Sequence, residues 1–138
     1  MKSFIFALLT ALCWGAAPIL GKMGLVKLPP FIALSLRSFT ISILLLAAGL
    51  FSGSFKNLQL DGRSFIFIAA EGIMASLLGQ LAYYYALKQS EASKVVPVSS
   101  SFPLFTLVLA FLFLHESITL KKIFGTLLVI LGIILIRY

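Results

Sequence analysis

One acidic residue, Glu71, lies inside a long apolar stretch, residues 64–87. About 20 apolar residues suffice to cross a bilayer as a helix, so this stretch can span a membrane. A carboxylate at that depth is costly, and such groups usually face the interior of a helix bundle or a wet cavity. Glu71 is therefore a candidate for binding a proton or a substrate cation. The alternative is a structural hydrogen bond to a neighbouring helix.

One face of the stretch 64–87 collects polar and small side chains when it is drawn as an α-helix at 100° per residue. Ser76 and Tyr83 share that face with Glu71, and Gln80 lies just beyond its edge. The opposite face carries large apolar side chains suited to lipid. Tyr83 belongs to three consecutive tyrosines, which could instead form an aromatic belt at the membrane interface. The members of the polar face span roughly 140°: Glu71, Gly72, Ala75, Ser76, Gly79 and Tyr83.

Three residues on other apolar stretches could complete a binding site. Trp14 lies on the small-residue face of the first stretch and could form an aromatic wall for a cationic or aromatic substrate. Ser100 lies in a serine run and could donate to a substrate, although such serines often satisfy only backbone carbonyls. Arg37 lies about two turns into the second stretch. It could bind an anionic group, pair with Glu71, or lock helices together.

The composition identifies an all-α integral membrane protein. Hydrophobic residues make up 61% of the chain, charged residues 11%, and the mean hydropathy is +1.13. A soluble domain of 138 residues has too little interior to hide that apolar content. The net charge of +7 does not indicate nucleic acid, because the basic residues flank apolar runs as they do in membrane proteins. We expect membrane lipid as a partner, no nucleic acid, and a multi-pass protein in the cytoplasmic membrane of a prokaryote.

Hydropathy predicts a bundle of five transmembrane helices within one domain, residues 1–138. The first segment is interpreted as a retained span, because apolar residues continue past the position where a signal peptide would be cleaved. The loops between segments are short. The predicted helices cover about residues 4–21, 31–51, 64–87, 95–114 and 118–136.

Prolines and glycines mark positions where these helices should bend or pack closely. Pro18 should loosen the far end of the first span, and Pro97 and Pro103 bracket the serine run. Broken membrane helices are tolerated where the freed backbone faces protein or a cavity. Gly125 and Gly132 lie seven residues apart on one stripe of the last span. That stripe suits packing within the bundle or pairing with another chain.

The basic residues are divided equally between the two sides of a five-span chain, with Arg37 inside a span. The positive-inside rule needs an imbalance to fix orientation, and here there is none. A chain without bias can insert both ways, so two opposite copies could pair. The alternative is that the first span alone sets one orientation. The two groups are Lys2, Lys56, Arg63, Lys121 and Lys122 on one side and Lys22, Lys27, Lys88, Lys94 and Arg137 on the other.

The sequence offers no enzyme chemistry. His115 is the sole histidine and Cys13 the sole thiol of the chain. Neither a Ser–His–Asp order, nor metal-ligand spacing, nor a phosphate-binding glycine loop is visible. We expect no catalysis, no metal and no cofactor.

Several short runs, taken in order, resemble one EamA-type repeat of the drug/metabolite transporter superfamily. The resemblance covers essentially the whole chain and implies secondary transport of small metabolites by alternating access. Most members carry two inverted five-helix repeats, whereas this chain carries one. The matching runs are Ala11–Gly15 leading to Gly21–Lys22, then Arg37, and then Ala86–Leu87 through Ala92, Pro103 and His115–Glu116 to Gly125 and Gly132.

The missing second repeat implies a partner, because transport between inverted repeats needs both halves. An antiparallel homodimer would supply it, as in the small multidrug resistance proteins, whose dimerising helix the Gly125–Gly132 stripe resembles. A paralogue of opposite orientation would also supply it.

We therefore predict a secondary transporter, working as an exporter of small metabolites or amphipathic compounds and coupled to protons through Glu71. One alternative is a non-transporting membrane subunit of a larger complex. Another is a subunit of a flippase for a lipid-linked sugar.

Overall fold

The computed structural model describes residues 2–56 and 60–137, and every regular element in those ranges is helical. Met1, residues 57–59 and Tyr138 lie outside the described residues. The prediction of an all-helical membrane bundle is confirmed. The elements are α1 (Lys2–Leu25), α2 (Pro30–Ser52), α3 (Gly62–Glu71), a π-helical segment (Gly72–Gly79), α4 (Gln80–Gln89), α5 (Ala92–Ser99), α6 (Phe102–Leu114) and α7 (Leu120–Arg137).

Four helical stretches among the described residues are long and apolar enough to cross a membrane. They are Ser3–Leu25, Pro30–Ser52, Gly62–Gln89 and Ala92–Leu114. The last helix, α7, has 18 residues and carries two lysines in its first turn. Its apolar part is therefore short, and lysine side chains can extend along such a helix to reach the membrane interface.

The chain divides into two compact units, the first ending at Gln89 and the second beginning at Ser90. In the first unit, α4 packs against both α1 and α2. The buried side chains there include Leu25 and Leu34 together with Tyr84 and Leu87 of α4, and Pro18 and Pro30 are also buried. Gly21 of α1 lies beside Tyr84 and Leu87 of α4, and a Cβ at that position would be in ordinary van der Waals contact with both, at 3.9 Å.

Two lysines form hydrogen bonds between elements at this same end of the first unit. Lys22 Nζ donates a hydrogen bond to the carbonyl of Leu87, and Lys88 Nζ donates one to the carbonyl of Leu28 at 2.9 Å. Each lysine thus reaches a carbonyl near the end of the other helical stretch. Cations near helix C-termini are favourable because the last carbonyls lack intrahelical partners.

Helix α2 ends in a Schellman motif centred on Gly53. Its φ of 68° is a left-handed conformation that glycine adopts without steric cost. The amide of Gly53 donates to Leu50 O at 3.3 Å, and that of Ser54 donates to Gly49 O at 3.1 Å. The ring of Phe55 folds back directly over Gly49, where a Cβ would collide with it.

Helix α3 begins with a side-chain cap from Asp61. Its Oδ2 accepts hydrogen bonds from the amide of Ser64 at 3.0 Å and from the Ser64 hydroxyl at 3.1 Å. An aspartate at this position satisfies one of the unpaired amides of the first turn. These hydrogen bonds, chiefly the one from the Ser64 amide, hold the pKa of the Asp61 carboxyl below its ordinary value of 3.8.

In the second unit, α7 packs against α5 and α6. A turn at residues 100–101 separates α5 from α6, and Pro103 is the second residue of α6. Pro97 lies inside α5, and Pro18 lies inside α1, which continues without interruption to Leu25. After α6 the chain turns at His115, whose φ is 53°.

Candidate functional site

Glu71 is the last residue of α3 and immediately precedes the π segment. It is the one acid that lies inside a membrane-crossing stretch, since the other three acids of the sequence lie outside the helices. Its side chain is exposed in the isolated chain and makes no hydrogen bond or ion pair with any described residue. The carboxylate is thus available to a proton, a cation or a second chain.

The π segment, Gly72–Gly79, distinguishes the structure from the regular α-helix assumed at 100° per residue. The amide of Gln80 bonds to Ala75 O, five residues back, as expected for π geometry. Each π turn holds more residues than an α turn, so successive side chains in the segment are separated by a smaller angle about the helix axis. The side chains after the segment are therefore rotated, relative to those before it, away from the positions that a regular α-helix predicts. π segments inside α-helices are rare and often lie at functional sites.

Gly79 belongs to the close packing of the π segment. A Cβ at Gly79 would lie 3.1 Å from the carbonyl oxygen of Met74, five residues earlier. That distance is tighter than ordinary van der Waals contact, and the opposing atom is backbone. No neighbour lies within 4 Å of a Cβ built at Gly72. A side chain would thus be tightly opposed at one end of the segment and not at the other.

Four further predicted site residues belong to the same unit as Glu71 and lie on connected elements. Trp14 on α1 is 65% exposed, and Ser76 in the π segment is exposed. Gln80, the first residue of α4, and Tyr83 are half-buried. Because α4 packs against α1 and continues the π segment, these side chains are carried by elements that contact one another.

Arg37 lies on α2, and its side chain is exposed. The ion pairs among the described residues are Lys94–Glu91 and Lys122–Glu116, so Arg37 is not paired with Glu71 in this structure.

Ser100 belongs to the second unit, in the turn between α5 and α6. Its hydroxyl donates to the carbonyl of Val96 at 2.8 Å, four residues earlier. The donor is therefore used locally, as is common for serines near helix ends. Only the oxygen lone pairs of Ser100 are available to accept a hydrogen bond from a ligand.

The glycine stripe of α7 has free space beside it. No heavy atom lies within 4 Å of a Cβ built at Gly125 or at Gly132. Neither glycine is thus required by close packing within the described residues. No cluster of three or more His, Cys, Asp or Glu side chains that could hold a metal occurs among the residues described.

The two lysine hydrogen bonds and the π segment have no counterpart among the sequence predictions. A lysine at a helix end indicates a membrane interface, but its carbonyl partner is defined only once two helices meet. The π segment leaves one weak signal, a glycine at each end of an eight-residue run.

Comparison with known proteins identifies the family of the chain. Residues 1–138 match the EamA-like transporter family. An uncharacterized protein of Methanocaldococcus jannaschii, MJ1333.1, is 32% identical over 97% of this chain and 95% of its own length. The uncharacterized transporter YvbV of Bacillus subtilis is 26% identical over 96% of this chain but only 44% of its own length.

A further relative has nearly the length of this chain. It is an uncharacterized transporter of a Sinorhizobium species, encoded in the cobO 3′ region, 26% identical over 95% of this chain and 93% of its own length. The chain thus spans almost the whole of some relatives and about half of others. No solved structure matches it. On this evidence the protein is a multi-pass membrane protein that belongs to the EamA-like transporter family.

Proposed function

We propose that this protein is a secondary transporter that exports small metabolites or amphipathic compounds by alternating access. Membership of the EamA-like transporter family supports transport. The observation that carries the proposal further is the position of Glu71, the one acid within a membrane-crossing stretch and without a partner among the described residues. Ionisable groups at membrane depth commonly belong to substrate pathways or proton relays.

Glu71 is the coupling group in this proposal. In one state its carboxylate binds a substrate cation, and in the other it binds a proton, so the two ligands exclude each other. Trp14, Gln80 and Tyr83 are placed on elements connected to that of Glu71 and supply aromatic and polar contacts for an amphipathic cation. The π segment beside Glu71 lets the α3 end of the stretch adjust while α4 stays packed against α1 and α2.

The transporting unit is an antiparallel homodimer. The equal division of basic residues permits both orientations. The relative lengths also support pairing, because the chain covers 44% of the B. subtilis transporter but 95% of the M. jannaschii protein. Two copies of such a chain would then supply what the longer relatives carry in one polypeptide. An oppositely oriented paralogue would serve the same purpose.

Replacement of the Glu71 carboxylate tests the coupling role directly. Purified protein in vesicles should move ethidium, an amphipathic cation, in response to an imposed pH gradient. Glu71→Gln should reduce that movement to the rate of protein-free vesicles, because the amide neither binds a proton nor attracts a cation. Glu71→Asp keeps the charge and should retain activity.

The matched control is Glu91→Gln, which removes an exposed carboxylate paired with Lys94 at 3.2 Å outside the spans. It should move ethidium at the wild-type rate. Wild-type rates for Glu71→Gln would overturn the coupling role. A wild-type protein that moves no amphipathic cation in either gradient direction would favour the non-transporting subunit.

A further inference from the structure

A groove runs between α6 and α7 in the second unit, with a volume of about 380 Å³. Its α6 wall extends from Phe102 to Ala110 and includes Leu107, and Gly125 forms part of the α7 wall. The eight residue steps from Phe102 to Ala110 rise about 12 Å, somewhat less than the depth of one hydrocarbon leaflet, about 15 Å. The α6 wall thus spans most of one leaflet.

The two hydroxyls in the groove walls donate to their own helices. Thr106 Oγ1 donates to Phe102 O at 3.1 Å, and Thr126 Oγ1 donates to Lys122 O at 2.8 Å. Their donors are therefore not available to a ligand, and the remaining wall is almost entirely aliphatic or aromatic. This part of the groove suits a hydrocarbon chain and offers little to a polar solute.

The charged residues of the groove belong to the α6–α7 connection and the first turn of α7. Lys122 Nζ lies 3.5 Å from a carboxylate oxygen of Glu116 and donates to Ser117 O at 3.0 Å. Lys121, which also lines the groove, makes no ion pair or hydrogen bond with a described side chain. Two lysines against one glutamate leave a net positive charge of one at this end. The uncompensated charge is that of Lys121.

We propose that this groove binds an anionic phospholipid, with one acyl chain between α6 and α7 and the phosphate at Lys121. Lysines at a membrane interface attract anionic headgroups, and basic pockets between membrane helices hold them. The combination of an aliphatic groove with a cationic end matches an amphiphile with a negative head. A soluble anion would use the lysine and gain nothing from the groove.

The charged end of the groove favours a lipid over an apolar helix of a second copy, because an anionic headgroup offsets the charge of Lys121 and an apolar helix does not. The site is independent of the transport proposal, because it involves neither Glu71 nor a substrate.

Lipid binding can be measured by native mass spectrometry of the full chain in detergent. Phosphatidylglycerol and phosphatidylcholine with identical acyl chains are titrated separately, and the bound fraction of each is compared. The wild type should prefer phosphatidylglycerol. Lys121→Gln should weaken that preference about fivefold, the change that corresponds to the usual contribution of one lysine near an anionic membrane surface. Lys27→Gln, an exposed lysine in the α1–α2 loop, is the matched control and should leave the preference intact.

Filling the groove tests the acyl-chain half of the site. Gly125→Leu adds a side chain to the groove wall at a position where nothing lies within 4 Å of the Cβ. It should abolish preferential binding of phosphatidylglycerol. Gly132→Leu adds the same side chain on the same stripe, at a position that does not line the groove, and should bind like wild type. Ala110→Leu fills the groove from α6 and is the second variant if Gly125→Leu fails to fold.

Four results would overturn the proposal. Equal binding of the two lipids by the wild type would show that the headgroup charge does not contribute to binding. Unchanged binding by both groove-filling variants would show that the acyl chain does not occupy the groove. Displacement of phosphatidylglycerol by millimolar inorganic phosphate would identify a simple anion site. A change in oligomeric state with lipid binding intact in Gly125→Leu would assign the groove to contact between copies.

Discussion

At the residue scale, the four acids of the chain differ in what surrounds them. Asp61 binds Ser64, Glu91 pairs with Lys94, and Glu116 pairs with Lys122. Glu71 alone has no such partner among the described residues. The three partnered carboxylates each make a contact at a local turn or helix end, whereas Glu71 makes none with the described residues. Glu71 is therefore the acid that the proposed transport function assigns to a ligand.

Asp61 provides a prediction at the same scale that is independent of transport. Because hydrogen bonds lower its folded-state pKa below 3.8, the cap is fully effective above that pH and is lost as the pH falls through the lower, folded-state pKa. Asp61→Ala should reduce the melting temperature in detergent at pH 7 and have a smaller effect at a pH well below 3.8. The measurement is thermal unfolding followed by circular dichroism at both pH values.

Asp61→Asn separates the cap from its charge. Asparagine is as good a residue as aspartate at this position and does not titrate. It should therefore keep most of the stability at both pH values. An Asp61→Ala variant that melts like wild type at pH 7 would show that the cap contributes nothing measurable.

At the element scale, the long helical stretch Gly62–Gln89 consists of parts with different constraints. Its α4 end contains Tyr84 and Leu87, which are buried against α1 and α2, and Lys22 and Lys88 reinforce that contact. Its α3 end has no buried residue. The π segment lies between the two. Within the described residues, the stretch thus has buried side chains at its α4 end and none at its α3 end. Glu71 belongs to the α3 end.

Gly72 and Gly79 allow the π segment to be tested with two similar substitutions. Gly79→Ala brings a Cβ to 3.1 Å from Met74 O and should destabilise the protein by about 1 kcal/mol or more, as overpacking does. Gly72→Ala meets no neighbour and should stabilise it by about 0.5 kcal/mol through lower backbone entropy. Reversible unfolding in a detergent mixture measures both free energies. Equal effects of the two substitutions would contradict the π geometry.

Hydropathy and helix periodicity predict most of the elements but not the π segment. A bilayer selects apolar stretches by length, which is why the spans and the membrane class can be read from residues 64–87 and the other apolar runs. The choice between α and π hydrogen bonding depends on local backbone packing, to which hydropathy is insensitive. A polar face drawn at 100° per residue is consequently unreliable beyond Gly72.

At the scale of the whole molecule, the family could be inferred from the order of short motifs, whereas tertiary contacts could not. The hydrogen bonds of Lys22 and Lys88 depend on how α1, α2 and α4 meet, and the sequence contains only the lysines. The groove between α6 and α7, which Gly125 and Ala110 help to line, likewise exists only once the two helices meet. Its charged end follows from the position of Lys121 and Lys122 at a helix start.

The number of copies needed for transport is also a property of the whole molecule. The chain matches one EamA-like region over residues 1–138, and with five spans its basic residues would divide equally between the two sides of the membrane. If two opposite copies pair, each contributes one Glu71 to the assembly. Dual orientation is therefore the central requirement of the proposed homodimer.

The most direct measurement is the membrane side of the C-terminus in cells. Tyr138 is fused separately to a reporter active only in the cytoplasm and to one active only outside it. Dual insertion predicts activity from both fusions. Lys121→Gln combined with Lys122→Gln leaves three basic residues against five, and should suppress one reporter. Activity from a single fusion of the wild-type chain would contradict the antiparallel homodimer and leave an oppositely oriented partner protein as the means of completing the transporter.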